Sequence, residues 1–246
     1  MSIKVIYSDL GDVDCASIPL LWKGIPDVDV LRLADDTNYT KEDVHNAIKE
    51  ADDTLIMCGH GTPRGLLGFV VQEYEERPYS SWGFDYGMKR GGKVLSMAEE
   101  YAKLKQNESL PGEIGPMAET NAGEPKPRKY TRHVMDTVVN SSMAKDIHAR
   151  RVIAVWCHAS EFAEANHLYG FWSSMFISNS GEARACGFPG VPNQTIVDET
   201  YKFWRDANVL LKNDVPLSEW IDRLVDVGNM DYPTTKFNYD GLRYYP

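Results

Sequence analysis

A histidine and a cysteine, each at the end of an apolar run of strand length, are the residues of this chain whose types and placement best suit chemistry. The first run is Thr54-Leu55-Ile56-Met57-Cys58-Gly59-His60-Gly61. The second is Arg151-Val152-Ile153-Ala154-Val155-Trp156-Cys157-His158-Ala159. In an open α/β sheet, ligands and catalytic groups collect at the carboxyl ends of parallel strands. A thiol with a free-cysteine pKa near 8.5 is mostly protonated at neutral pH and needs a base to become a nucleophile. His60 and Cys157 supply those two parts, and Gly61 beside the base lets the backbone approach a reacting group closely.

The elements around the pair set the expected fold. Ile3–Tyr7 reads as a buried strand, Ile18–Trp22 as a helical turn and Val28–Leu33 as a second strand. Thr40 with Asp43 three residues later approximates a capping box, and Val44, Ile48 and Ala51 follow at helical spacing. Leu55–Met57 is the third strand. This β-α-β-α-β order predicts an α/β domain with a mostly parallel sheet and right-handed crossovers. Further on, Gly65–Gln72 reads as a hairpin or short strand and Lys93–Gln106 as a helix. Val134–Ala144 and Val152–Trp156 read as helix then strand, and Glu161–His167 as a short helix. Phe171–Ile177 is an apolar segment of either type, and Ile196–Leu211 and Leu217–Val227 are amphipathic helices. The stretch Asn107–Lys129 is rich in proline and glycine without an apolar period, and reads as an exposed mobile loop. The whole, residues 1–246, reads as a single domain with a helical carboxyl third.

Composition narrows the classes. A formal charge of −10 with no basic stripe argues against nucleic acid as a partner. No apolar stretch approaches the roughly 18–20 residues that span a bilayer, so no membrane partner is expected. The first residues pass straight into a strand pattern, without the basic and apolar regions of a secretory signal. The four cysteines, Cys15, Cys58, Cys157 and Cys186, show no CxxC spacing. They suit a reduced, cytoplasmic setting without a zinc site, and no cofactor or metal is expected. Among them Cys58 reads as structural, since its neighbours alternate into the sheet.

The order histidine first and cysteine 97 residues later (157 − 60), each after a buried strand, resembles the caspase-like cysteine peptidases, the group of caspases, metacaspases, gingipains, clostripain, legumains and separases. Metacaspases and bacterial caspase homologues often carry Ser-Gly-His-Gly and Asp-Ser-Cys-His-Ser. This chain has Cys58-Gly59-His60-Gly61 and Trp156-Cys157-His158-Ala159-Ser160. The lead-in Leu33-Ala34-Asp35-Asp36-Thr37 and Ala51-Asp52-Asp53-Thr54-Leu55 is similar as well. The resemblance covers roughly residues 3–61 and 134–186.

The resemblance implies a caspase-like three-layer α/β/α sandwich and a cysteine endopeptidase with a polypeptide substrate. It implies Cys157 as nucleophile, His60 as proton carrier, and the N–H groups of Gly61 and Cys157 as the oxyanion hole, with no third acid needed. Two departures bear on specificity. Metacaspases place an Asp two residues before the cysteine, where this chain has Val155. Caspases place an Arg after it, where this chain has His158. The first-strand loop offers Asp9, Asp12 and Asp14 as an acidic pocket for a basic P1 residue, and Ser178, Ser180 and Glu182 are candidates for the cleft wall. Arg64 reads as a solvated loop residue. Two other readings stand beside the peptidase. One is a regulated effector, in a prokaryotic stress or defence system, that awaits an activating ligand or partner protein. The other is a non-catalytic binding module on the same fold, which Val155 and Trp156 beside the cysteine keep open.

Overall fold

The computed structural model describes residues 2–11, 15–76, 88–90, 93–95 and 128–246. They fall into two compact units, Met1–Gln72 with Thr131–Pro246, and Glu73–Tyr130, where the sequence reads as one domain. The first unit is built on six strands: β1 (Ile3–Ser8), β2 (Val28–Leu33), β3 (Thr54–Cys58), β9 (Arg151–Val155), β10 (Gly170–Ser173) and β11 (Leu242–Tyr245). A short strand β4 (Gly61–Thr62) pairs antiparallel with β5 (Gly65–Glu76), and β5 lies beside β8 (Arg128–Asn140). The second unit holds the antiparallel pair β6 (Met88–Arg90) and β7 (Lys93–Leu95).

The six-stranded sheet has the order β2-β1-β3-β9-β10-β11. All its neighbours are parallel except β10 with β11, which are antiparallel. The two central strands, β3 and β9, are buried at every residue. That is why they read as unbroken apolar runs: a central parallel strand is covered on both faces and has no polar side to show.

Successive side chains alternate between the faces. Leu55, Met57, Val152 and Ala154 pack with Val44, Ala47 and Ile48 of α1 (Lys41–Lys49), with α2 (Ser141–Ala144) and with Phe162 of α3 (Ala159–Asn166). Ile56, Cys58, Ile153 and Val155 pack on the opposite face. Their partners are the 3₁₀ helix Cys15–Trp22, α5 (Asn193–Lys212), α6 (Trp220–Val227) and α7 (Pro233–Asp240). The protein is therefore α/β, with helices on both faces of a mostly parallel sheet. Among the described residues no helix is long and apolar enough to cross a membrane.

The first half of this unit follows the sequence pattern closely. β2 spans Val28–Leu33 as expected, and the capping box is present. Thr40 Oγ1 accepts from the Asp43 N–H (3.2 Å), and the Asp43 carboxylate accepts from the Thr40 N–H (2.7 Å).

Two expectations are corrected. Val134–Ala144 is not a helix: residues to Asn140 belong to β8, and only Ser141–Ala144 turns helically. Thr137, Val138 and Val139 are consecutive β-branched residues, stiff at χ1 and suited to a pleated surface. Asn140 then stops the strand by capping α2, its side chain accepting from the Ser142 N–H at 2.9 Å. Lys93–Leu95 is a strand where a helix was expected, and the rest of that segment, 96–106, lies outside the described residues. So do residues 107–127 of the expected loop, whose last two, Arg128 and Lys129, begin β8. In the tail, residues 233–240 form α7, with Pro233 in its first turn where a missing N–H costs nothing.

The capping box gives a testable consequence. Hydrogen bonds from the Thr40 hydroxyl and then its backbone N–H hold the Asp43 carboxyl below its ordinary value. A carboxylate so depressed stabilises the fold above its unfolded pKa, about 3.9, and the contribution is lost as pH falls through the folded value. Thr40→Ala should cost about 1 kcal/mol at neutral pH. In denaturant titrations at several pH values that deficit should shrink below about pH 4.

Candidate active site

β3 and β9 are adjacent, parallel and in register, with Cys58 opposite Val155. His60 lies two residues beyond Cys58, and Cys157 two beyond Val155. The pairing therefore brings the two reactive side chains out at the same end of the sheet and at the same height. The strand ends are tied together by the Gly59 N–H, which donates to the Val155 carbonyl at 3.2 Å. Both residues line one cleft with Cys15, Ile18, Val155, Phe176, Ser178, Glu182, Thr200 and Trp204.

The turn carrying the histidine is packed too closely for any residue but glycine at two positions. Gly59 has φ +133°, and a Cβ there would stand 2.5 Å from the Ser8 carbonyl oxygen at the end of β1. A Cβ on Gly61 would fall 2.0 Å from Cδ1 of Trp156. Gly61 thus serves first to admit the indole that precedes the cysteine. Leu67 N–H donates to the His60 carbonyl at 2.9 Å, and Gly61 faces Leu66. In an antiparallel ladder the pair next to a hydrogen-bonded pair is not hydrogen-bonded, so the Gly61 N–H points away from β5.

The cysteine sits in the sharp connection from β9 to α3. Trp156 is 1% exposed and packs edge-on against Phe162 and Trp172 (centroids 5.8 Å in both pairs). Its Nε1–H donates to the Thr62 carbonyl, and its own carbonyl accepts from Ser173 Oγ at 2.8 Å. Trp156 thus belongs to the core on the sheet face opposite Val155 and also contributes to the cleft lining. It anchors both flanks of the turn.

His158 takes up the backbone strain, with φ 69° in the left-handed region. Its N–H donates to the Ser174 carbonyl, and its ring lies 2.6 Å from Glu161. Cys157 is partly exposed, and its thiol donates to the Phe176 carbonyl at 3.5 Å. It also stands just before the first turn of α3, where backbone N–H groups favour negative charge.

Cys58 contrasts with Cys157. It is fully buried, and burial pushes its thiol well above the ordinary range. None of the four cysteines forms a disulfide. Among the described residues no cluster of His, Cys, Asp or Glu is placed to hold a metal ion.

The expected cleft-wall residues separate. Ser178 and Glu182 line the cleft, and Glu182 Oε2 accepts from both the N–H and the hydroxyl of Ser178, at 2.7 and 2.9 Å. Ser180 is not part of the lining; it starts α4 (Ser180–Ala185), and its N–H donates to Asn193. Asp9 is bound instead to Arg32, at 2.7 Å. Asp12 and Asp14 lie outside the described residues. Arg64 is exposed.

Ile18, Phe176, Thr200 and Trp204 are cleft residues the sequence pattern did not single out. Thr200 and Trp204 are four apart on an amphipathic helix, which marks a buried stripe but not what it faces.

Comparison of the chain with family models, with curated proteins and with solved structures finds no match.

Gly61→Ala tests the packing directly. The new methyl must displace Trp156 or the backbone, and overpacking of this kind costs about 1–3 kcal/mol. Thermal unfolding should register that loss.

Proposed function

We propose that the protein is a caspase-like cysteine endopeptidase using His60 and Cys157. One observation carries the reading: base and nucleophile emerge at matching heights from two adjacent parallel strands and line a single cleft. Three features of the fold accord with it. The histidine strand precedes the cysteine strand, the sheet order is β2-β1-β3-β9-β10, and an antiparallel strand closes one edge.

In this reading Cys157 Sγ attacks the carbonyl carbon of the scissile bond, and His60 accepts the thiol proton. The oxyanion that forms is held by the N–H groups of Gly61 and Cys157. His60 returns the proton to the leaving amine, and water then hydrolyses the thioester, again with His60 as base. Four cysteines without a disulfide suit a reducing compartment such as the cytosol. Val155 and Trp156, which depart from the polar pair seen in metacaspases, have structural reasons to be apolar. Both line the cleft, and each also packs into the core on its own face of the sheet.

Hydrolysis of a fluorogenic peptide pool tests the assignment. Cys157→Ala and His60→Ala should each lower the rate by about 10³-fold or more. Cys58→Ala and Cys186→Ala should leave hydrolysis in the folded fraction unaffected. Equal activity in Cys157→Ala and wild type would sink the proposal.

A further inference from the structure

The exposed face of α5 forms one wall of a groove that shares no residue with the cleft of Cys157. This wall holds Tyr201, Arg205 and Val209, spaced four apart and so aligned on one helix face, with Lys212 three residues further on. The opposite wall is the end of the 3₁₀ helix Cys15–Trp22 and the turn after it, through Leu20, Lys23 and Gly24. The space between them is about 750 Å³. Tyr201 is 44% and Val209 54% exposed, so large apolar side chains stand in water here.

The two walls are held together. Asn208, buried on α5, donates from Nδ2 to the carbonyls of Leu21 (2.8 Å) and Lys23 (3.3 Å), which ties the turn to the helix. Gly24, at φ +71°, lies close to the end of α5: a Cβ there would stand 3.3 Å from Lys212 Nζ. The groove is therefore preformed, which spares an occupant the cost of ordering it.

Charge singles the groove out. The chain carries a net −10, and Lys4, Arg32, Lys41 and Arg150 each hold a carboxylate. Lys23, Arg205 and Lys212 are exposed around one space and form no ion pair among the described residues. The one carboxylate of the lining, Asp206, is held by Lys202 at 2.5 Å. A local cationic excess on an acidic protein steers and orients an acidic partner. Carboxylates alone would leave Leu20, Tyr201 and Val209 uncovered, and apolar side chains alone would leave the three cations unmatched. Nucleic acid would match the cations but not the apolar side chains, and its dense charge would meet a chain of net −10.

We propose that this groove docks a short acidic segment of a partner protein, one that carries both carboxylates and large apolar side chains. From Tyr201 to Lys212 the helix rises about 16 Å, the reach of about five extended residues. The docking surface stands apart from His60 and Cys157 and does not depend on what they do.

A phage-displayed library of random heptapeptides, selected on the wild-type protein and counter-selected on Arg205→Glu/Lys212→Glu, reads the groove separately from the cleft. The recovered sequences should be rich in Asp and Glu and contain Leu, Ile, Phe or Trp. A fluorescein-labelled peptide of recovered sequence should bind with micromolar affinity, and Arg205→Glu should weaken it by about tenfold or more. Val209→Asp should weaken it too, and so should added salt. The substituted residues are exposed, and unchanged thermal unfolding checks that each variant folds; Lys23→Glu, on the other wall, repeats the test should one of them not. Recovery of basic or uncharged sequences, or of none that distinguishes wild type from the variant, overturns the proposal. Tighter binding of an oligothymidylate or of phosphatidylserine vesicles than of the peptide, lost in the same variant, overturns it as well.

Discussion

The parallel pairing of β3 with β9 is the constraint on which everything else in this protein depends. Register fixes which residues leave the sheet together, and a slip of one residue would turn every side chain to the other face. Here both strands are buried on both faces, with Leu55 and Met57 packed into one core and Ile56 and Cys58 into the other. His60 and Cys157 are then placed by counting: each lies two residues past a paired position. A site assembled this way needs little from the loops, because the sheet has already set the separation.

Close packing then makes the strand ends rigid. Gly59 lies against Ser8 and Gly61 against the Trp156 indole, so the ends of β1, β3 and β9 approach closely. Trp156 is the centre of this arrangement. It fills the core beside Phe162 and Trp172, donates to Thr62 after the histidine turn, and accepts from Ser173 on β10. The next residue but one, His158, absorbs the turn in a left-handed conformation and is held by Glu161. Cys157 therefore stands between a closely packed indole and a histidine in a left-handed turn, and it lines the cleft. Rigid support of this kind holds a reactive group in place in advance, and catalytic geometry requires that.

Much of this was legible in the sequence, and the reasons are physical. Buried parallel strands have one signature, an unbroken apolar run, and β1, β3 and β9 all show it. The capping box of α1 is a local device whose partners are three residues apart. Sequence reasoning failed where the deciding contacts were distant. Val134–Asn140 has apolar residues that fit a helix or a strand, and its place beside β5 settles the matter. Asp9 pairs with Arg32, 23 residues away, a contact the local pattern does not show. Thr200 and Trp204 read as ordinary members of a helix stripe. Only tertiary packing shows that α5 presents them to the cleft, more than 40 residues from the cysteine.

The central claim is that His60 and Cys157 act as one unit, and the pH profile of Cys157 alkylation tests it most directly. Iodoacetamide modification followed site by site by peptide mass spectrometry reports Cys157 separately from Cys186, whose thiol burial pushes up. The account predicts that Cys157 reacts faster than Cys186 at pH 7 and that His60→Gln slows it and shifts its profile. The same Cys157 rate and the same pH profile in wild type and His60→Gln would contradict it.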